Sequence, residues 1–423
     1  MTPSIHTLKN GVRMICDPMA GLESLALSVV IDGGSRWETP ATAGWAHMLE
    51  HMVFKGAGSR SAREIVEAIE GQGGHINAAT GQERTSFQVR CLKGGLPLGL
   101  EVLTDLVRHP TLDAADLEKE KGVIAQEIAE AADQPDDKVF EIAQARAYRG
   151  QALGRPILGE TKSLAPATAE TLGVFHRGLY AADRIVVSAA GAVEEGELLK
   201  AVEAAFGDAR APEQPLARPE PAAFEGGHGV ETRRLEQAHL VLLAPAVSRH
   251  DPDYFALTLF AEILGGGMAS RLFQEVREAR GLAYAIDAYA DVYEDVGALG
   301  VYAGTGAADA APAARLTAEE IKKLAAAPSE AELQRAKAQT KGGLFMRRES
   351  PLARAEGAAA NLHSFGRLFS AAELAARIDA VSVEDLKRVG ERIIAAGRTA
   401  TAVLGPKRAG AAGEAFGDAL ASG

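Results

Sequence analysis

Four prolines, Pro212, Pro215, Pro219 and Pro221, crowd the stretch between Arg210 and His228, which ends in Gly226-Gly227. Proline fixes φ and has no backbone N–H, so a segment this rich in it joins neither a helix nor a sheet ladder. It reads as an extended, semi-rigid linker. The linker, residues 210–228, divides the 423-residue chain into nearly equal parts, 1–209 and 229–423. The second part repeats the order of the first. Strand-like Ser4–Leu8, Val12–Cys16 and Ser24–Ile31 precede a short helix, a second helix over Ser61–Glu70, and strands His75–Thr80 and Thr85–Cys91. After the linker, Gly229–Leu235 and His239–Ala244 precede a helix over Pro252–Leu264, a second over Arg271–Arg280 and a strand over Leu282–Ala290. A duplicated order of strands and helices predicts an α+β fold: two homologous domains, each a mainly antiparallel sheet covered by helices.

The two parts differ in one short helix. Gly44–Gly56 has Pro40 and Thr42 as start signals and Gly56 as a stop. At 100° per residue His47, Glu50 and His51 share one face, while Met48, Leu49, Met52 and Val53 share the opposite one. Two imidazoles one turn apart can hold a metal ion from one side, and a carboxylate beside them can take a proton from water. The order H-x-x-E-H is that of the inverzincins. Carried across the repeat, His47–His51 fall on about Ala256–Ala261, where no histidine occurs.

A two-histidine site needs a third ligand. Glu120 and Glu127, two helical turns apart in a helix over Asp113–Ala132, share a face with Val123, Ile124 and Ala131. That apolar company points the face inward, where a carboxylate needs a cation or a metal.

At these residues the chain resembles the pitrilysin-type zinc metallopeptidases, in particular the half-length branch similar to mitochondrial processing peptidase. Glu127 follows His51 by 76 positions, as in that family, and Gly33-Gly34-Ser35-Arg36-Trp37-Glu38, Asn77-Ala78-Ala79-Thr80, Leu153–Gly159 and Ser270–Glu278 follow its pattern in order. The resemblance implies one Zn2+ per chain on His47, His51 and Glu127, with Glu50 as general base and Glu120 as a supporting glutamate. It implies that Arg277 and Tyr284 of the second domain assist the reaction across a cavity enclosed by the domains. Asn77, Ala78, Ala79 and Thr80 would form the edge strand to which a peptide or unfolded polypeptide adds. The implied activity is endopeptidase action on extended chains, by a homodimer. The alternatives are a non-catalytic core-type subunit of a larger complex, or the catalytic chain of a heterodimeric processing peptidase.

Composition narrows the partners. A net charge of −12 argues against nucleic acid or an anionic membrane as the main partner. No apolar run approaches the length of a membrane span, and Met1–His6 lacks the charged-then-apolar order of a signal peptide, so a cytoplasmic location is expected. Cys16 and Cys91 lie in apolar, strand-like surroundings and read as core residues. Gly265-Gly266-Gly267 lacks phosphate-loop spacing and reads as an inter-helix loop. His75 and the other histidines have no ligand spacing to one another. Residues 308–395 read as a helical layer, and the small, polar tail Arg408–Gly423 is expected to be partly disordered.

Overall fold

The computed structural model describes residues 3–212 and 215–422; Met1-Thr2, Glu213-Gln214 of the linker and Gly423 of the tail lie outside the described residues. The chain begins with strands β1 (Ser4–Thr7), β2 (Arg13–Pro18) and β3 (Ser24–Ile31). Helix α1 (Trp45–Val53), the short ribbon β4 (Gly56–Ala57) and β5 (Arg60–Ser61), and α2 (Ala62–Glu70) follow. The hairpin β6 (His75–Thr80) and β7 (Thr85–Leu92) leads to α3 (Leu96–Arg108), α4 (Ala114–Asp133) and α5 (Pro135–Ala147). Then come α6 (Thr161–Leu164), α7 (Ala169–Leu179), β8 (Ile185–Gly191) and α8 (Glu195–Phe206).

Past the linker the same order returns. Strands β9 (Gly227–Thr232) and β10 (Gln237–Ala246) precede α9 (Tyr254–Gly265), a π-helical turn over Phe273–Glu278, and the hairpin β11 (Ala283–Val292) and β12 (Gly297–Gly306). Helices α10 (Ala310–Ala326), α11 (Glu330–Arg347), α12 (Pro351–Phe365), α13 (Ala371–Ala380) and α14 (Val383–Ala395) lead to β13 (Ala400–Gly405) and α15 (Ala412–Ala421).

The strands form two matching sheets, ordered β1-β2-β8-β3-β7-β6 and β11-β12-β10-β13-β9. Each has one parallel pair, β2 with β8 and β9 with β13, and is otherwise antiparallel. One face of the first sheet carries Leu25, Leu27, Val29 and Ile31 into a core shared with α1, α3, α7 and α8. The corresponding face of the second carries Leu240, Leu242, Val301 and Ala303 into a core shared with α9, α10, α14 and α15. The alternation of a strand assigns these residues to a single face.

Packing divides the chain within the linker, between Pro219 and Glu220, but it also exchanges two segments across that division. The first compact unit comprises Met1–Ile128, Pro156–Pro219 and Phe345–Ser370; the second comprises Ala129–Arg155, Glu220–Leu344 and Ala371–Gly423. The boundaries 1–209 and 229–423 therefore miss an exchange of helices. α12 lies on the second face of the first sheet, with Ala359 and Leu362 against Ile15, Val30 and Val186. Its Arg354 forms a bidentate pair, at 2.6 and 2.5 Å, with the buried Asp17. α5 lies on the second face of the other sheet, with Val139 and Ala143 among Val241, Leu243 and Leu404. A sheet covered on one side only would leave these valines and leucines in water.

Two further expectations are corrected. The tail is helical: Ala412, Phe416 and Leu420, four residues apart on α15, are buried in the second core. That apolar stripe outweighs the small, polar character of its other residues. The helix expected over Arg271–Arg280 is the π-helical turn Phe273–Glu278. Both cysteines are buried and unpaired, and burial pushes their thiols up to about 12 for Cys16 and about 11 for Cys91.

Candidate metal centre

Helix α1 starts at a glycine, Gly44, in the left-handed region at φ 89°, a conformation disfavoured for other residues. A side chain there would also strike the Leu158 carbonyl, 2.6 Å from where Cβ would lie. The helix N-terminus is capped from a distance. The buried Glu38 carboxylate accepts from Gly44 N at 2.8 Å and from Ala46 N at 2.7 Å, satisfying two donors that a helix start leaves open. Met48, Leu49, Met52 and Val53 are wholly buried, so α1 is held by one face while His47, Glu50 and His51 on the other stay partly accessible.

The two imidazoles lie with centroids 4.6 Å apart. Glu127 on α4 brings Oε2 to 3.9 Å from His47 Nε2 and 3.5 Å from His51 Nε2. Among the described residues, His47, His51 and Glu127 are the group whose ligand atoms converge as a metal site requires, all within 4.8 Å of one another. Glu127 Oε2 is inaccessible to water and accepts no hydrogen bond. A buried carboxylate oxygen with no donor calls for a cation, and two imidazoles with one carboxylate are a donor set for zinc that leaves a position open. The residues fit the metal. Burial, then the neighbouring His51, lowers the His47 pKa to about 4, which keeps that ring neutral as a ligand must be.

Glu120 stands behind this group. It is 5% exposed, and its Oε2 lies 3.0 Å from His51 Nδ1. The contact directs an Nδ1–H to the carboxylate and leaves Nε2 free to ligate. Lys55 Nζ lies 2.7 Å from the other oxygen. Burial pushes the Glu120 carboxyl up, but hydrogen bonds from Lys55 and His51 outweigh it and hold the group below its ordinary value. The inward face expected for α4 is only partly inward: Ile124 is fully buried, whereas Val123 is 39% exposed and Glu127 36%.

Glu50 is held by Thr80, whose Oγ1 donates to Glu50 Oε2 at 2.5 Å. Thr80 ends β6, an edge strand of the first sheet, so Asn77, Ala78, Ala79 and Thr80 do lie on a sheet edge. His75 begins that strand, exposed, opposite Arg90, and is not among the converging ligands. Arg277 and Tyr284 belong to the second unit. The Arg277 guanidinium lies 4.6 Å from the Phe273 ring centre and 5.5 Å from that of Tyr284. Tyr284 is 75% exposed and sits where the β11–β12 register shifts between Ala283 and Ala285. A π-helical turn and a bulge thus present the two side chains together.

Two family models match the chain, described as "Insulinase (Peptidase family M16)" over residues 20–161 and "Peptidase M16 inactive domain" over residues 166–340. An uncharacterized zinc protease of Rickettsia bellii is 35% identical over 404 residues, covering 95% of this chain and 97% of its own. The chain belongs to peptidase family M16. The uncharacterized zinc protease YmxG of Bacillus subtilis is 34% identical to this M16 chain over 391 residues, covering 92% of one and 95% of the other. In fold, the M16 chain is similar to a protease from Helicobacter pylori, with a TM-score of 0.90 at 22% identity over 96% of this chain and all of that one. It is also similar to a chain of complex III2 from Candida albicans, with a TM-score of 0.86 at 19% identity over 99% of each.

Sequence reasoning on this M16 chain missed three side chains at the centre. Lys55 was legible, because it extends the four-residue spacing of His47 and His51. Glu38 was not, since its distance from α1 fits no capping-box spacing. Nor was the Thr80 hydroxyl, which reaches Glu50 across thirty positions of sequence.

Proposed function

We propose that the chain is a zinc-dependent endopeptidase that hydrolyses extended peptides or unfolded polypeptide segments. The observation that carries the reading is the convergence of His47 Nε2, His51 Nε2 and Glu127 Oε2 on one point, with Glu50 on the same helix face as the histidines. Zinc, one ion per chain, would supply Lewis acidity when bound by these three residues. Glu50 would take a proton from the attacking water and later deliver it to the leaving amine. Glu120 would hold His51 through Nδ1. An extended peptide would add its main chain to the edge strand β6 at Asn77–Thr80, since an unpaired edge offers regularly spaced donors and acceptors. Such pairing requires a chain without its own tertiary structure, so flexible peptides are cut and stably folded proteins spared. Arg277 and Tyr284 would donate to the oxyanion that develops on the scissile carbonyl. One chain holds both sets of residues, so it would need no different subunit; we read its working form as a homodimer, or a monomer, in the cytoplasm. No helix among the described residues is long and apolar enough to cross a membrane.

The test is to load purified protein with zinc and offer it an unbiased peptide mixture. Cleavage that stops on chelation and returns with zinc supports the reading. Zinc-loaded protein that cuts no peptide, alone or after a second chain is added, rejects it in favour of a non-catalytic subunit.

A further inference from the structure

Strand β6 alternates: His75, Asn77 and Ala79 are exposed, whereas Ile76, Ala78 and Thr80 are half-buried. Ile76 and Ala78 pack against the first core, so the period of two turns Thr80 to that side as well, where α1 lies. Its hydroxyl donates to Glu50 Oε2 at 2.5 Å. An ionised carboxylate only accepts, so this bond fixes one oxygen and leaves Oε1 for the reaction.

The rest of the hairpin is fastened to the same helix. Its turn holds the loop before α1 through bonds that include Ser35 N to Gly81 O at 3.1 Å, Arg36 N to Gln82 O at 2.8 Å, Ser35 Oγ to Gln82 Oε1 at 2.8 Å, and Arg36 Nη1 to Glu83 Oε1 at 2.9 Å. The approach is close enough that a Cβ on Gly34 would lie 2.3 Å from Gly81 O. Two residues beyond Arg36, Glu38 caps α1. The edge strand and the metal helix are thus joined at the helix start, through Glu38, and at its working face, through Thr80.

Resting on the endopeptidase reading above, we infer that Thr80 is a positioning residue for Glu50 and couples the peptide-binding edge strand to the base. The Thr80 main chain pairs with substrate while its side chain sets the carboxylate, so binding and proton transfer are separable at this one residue. Thr80→Val keeps the shape and the strand propensity but removes the donor. Its kcat falls at least about tenfold, with KM within about twofold of the starting protein and zinc content unchanged. Thr80→Ser restores most of the kcat. A second readout needs neither metal nor turnover: melting of the metal-free protein as Thr80→Val, as Glu50→Ala and as both. A real bond makes the two shifts in Tm non-additive. Unchanged kcat in Thr80→Val, a change confined to KM, or additive melting shifts would each overturn the inference. If the starting protein cuts no peptide, the endopeptidase reading fails and takes the positioning role with it, while the melting cycle still decides whether the bond exists.

Discussion

The two units share one plan and differ in what one helix carries. α1 follows β3 and α9 follows β10, the strand beside the edge hairpin in each sheet, and both precede that hairpin. α1 buries Met48, Leu49, Met52 and Val53 and keeps His47, Glu50 and His51 on a partly accessible face. α9 buries Ala256, Leu257, Leu259, Phe260, Ala261, Ile263 and Leu264, and so spends nearly its whole surface on packing. A helix that presents polar side chains on one face has only the other for burial, and its polar face gains support from neighbours. Here those neighbours are the Glu38 cap, the Glu120–Lys55 pair and Thr80. The second unit has no call for such support at α9. The charge at the start of α9 serves structure: the Asp253 carboxylate, 4% exposed, meets Arg388 and Arg392 of α14.

The comparison breaks most sharply at Glu50. Glu50→Gln should cut hydrolysis by about a thousandfold or more, with zinc retained, because the base is lost and the ligands stay. Loss of zinc together with activity would make Glu50 a structural residue. Glu127→Gln should weaken zinc binding by about a hundredfold or more, measured by competition with a chelator; unchanged affinity would remove it from the ligand set. Glu120→Gln acts only through His51 and should cost about ten- to a hundredfold in zinc affinity. In the other unit, Arg277→Ala or Tyr284→Phe should depress turnover by about tenfold with zinc content unaltered. A fall in zinc would mean that the pair acts on the metal centre and not on substrate.

The smallest effect sharpens the contrast from the side of stability. Hydrogen bonds from Arg388 chiefly, outweighing burial, hold the Asp253 carboxyl below its ordinary value. A depressed carboxyl contributes stability above its unfolded pKa near 3.9 and loses it as pH falls through the folded value. The second unit should therefore loosen below about pH 4. Asp253→Asn should remove this acid-sensitive part at a cost of about 1–3 kcal/mol at neutral pH, discounted because Arg388 is half-exposed, with zinc affinity unchanged. Acid unfolding followed by circular dichroism, beside a zinc titration, checks both halves of that statement.

The sequence made the repeat, the H-x-x-E-H face and the glutamate two turns beyond Glu120 legible, because periodicity and spacing within one helix survive folding unchanged. What it hid was long-range. The exchange of α5 and α12 between the units depends on which sheet face each helix covers, and nothing local to Val139 or Leu362 records that. The Glu38 cap and the Thr80 bond join residues that approach only once the hairpin turn has docked on the loop before α1. The tail was a different kind of miss. Ala412, Phe416 and Leu420 do show a helical stripe, but the small residues between them masked it.

On the proposed function, the first unit alone would hold a metal ion. Zinc bound per chain, measured by elemental analysis after exhaustive dialysis against trace metal, tests it most directly when the starting protein is compared with His47→Ala/His51→Ala. The account predicts one zinc per chain in the first and none in the second, with both proteins folded. Two zinc ions per chain, or one that survives loss of both histidines, would contradict it.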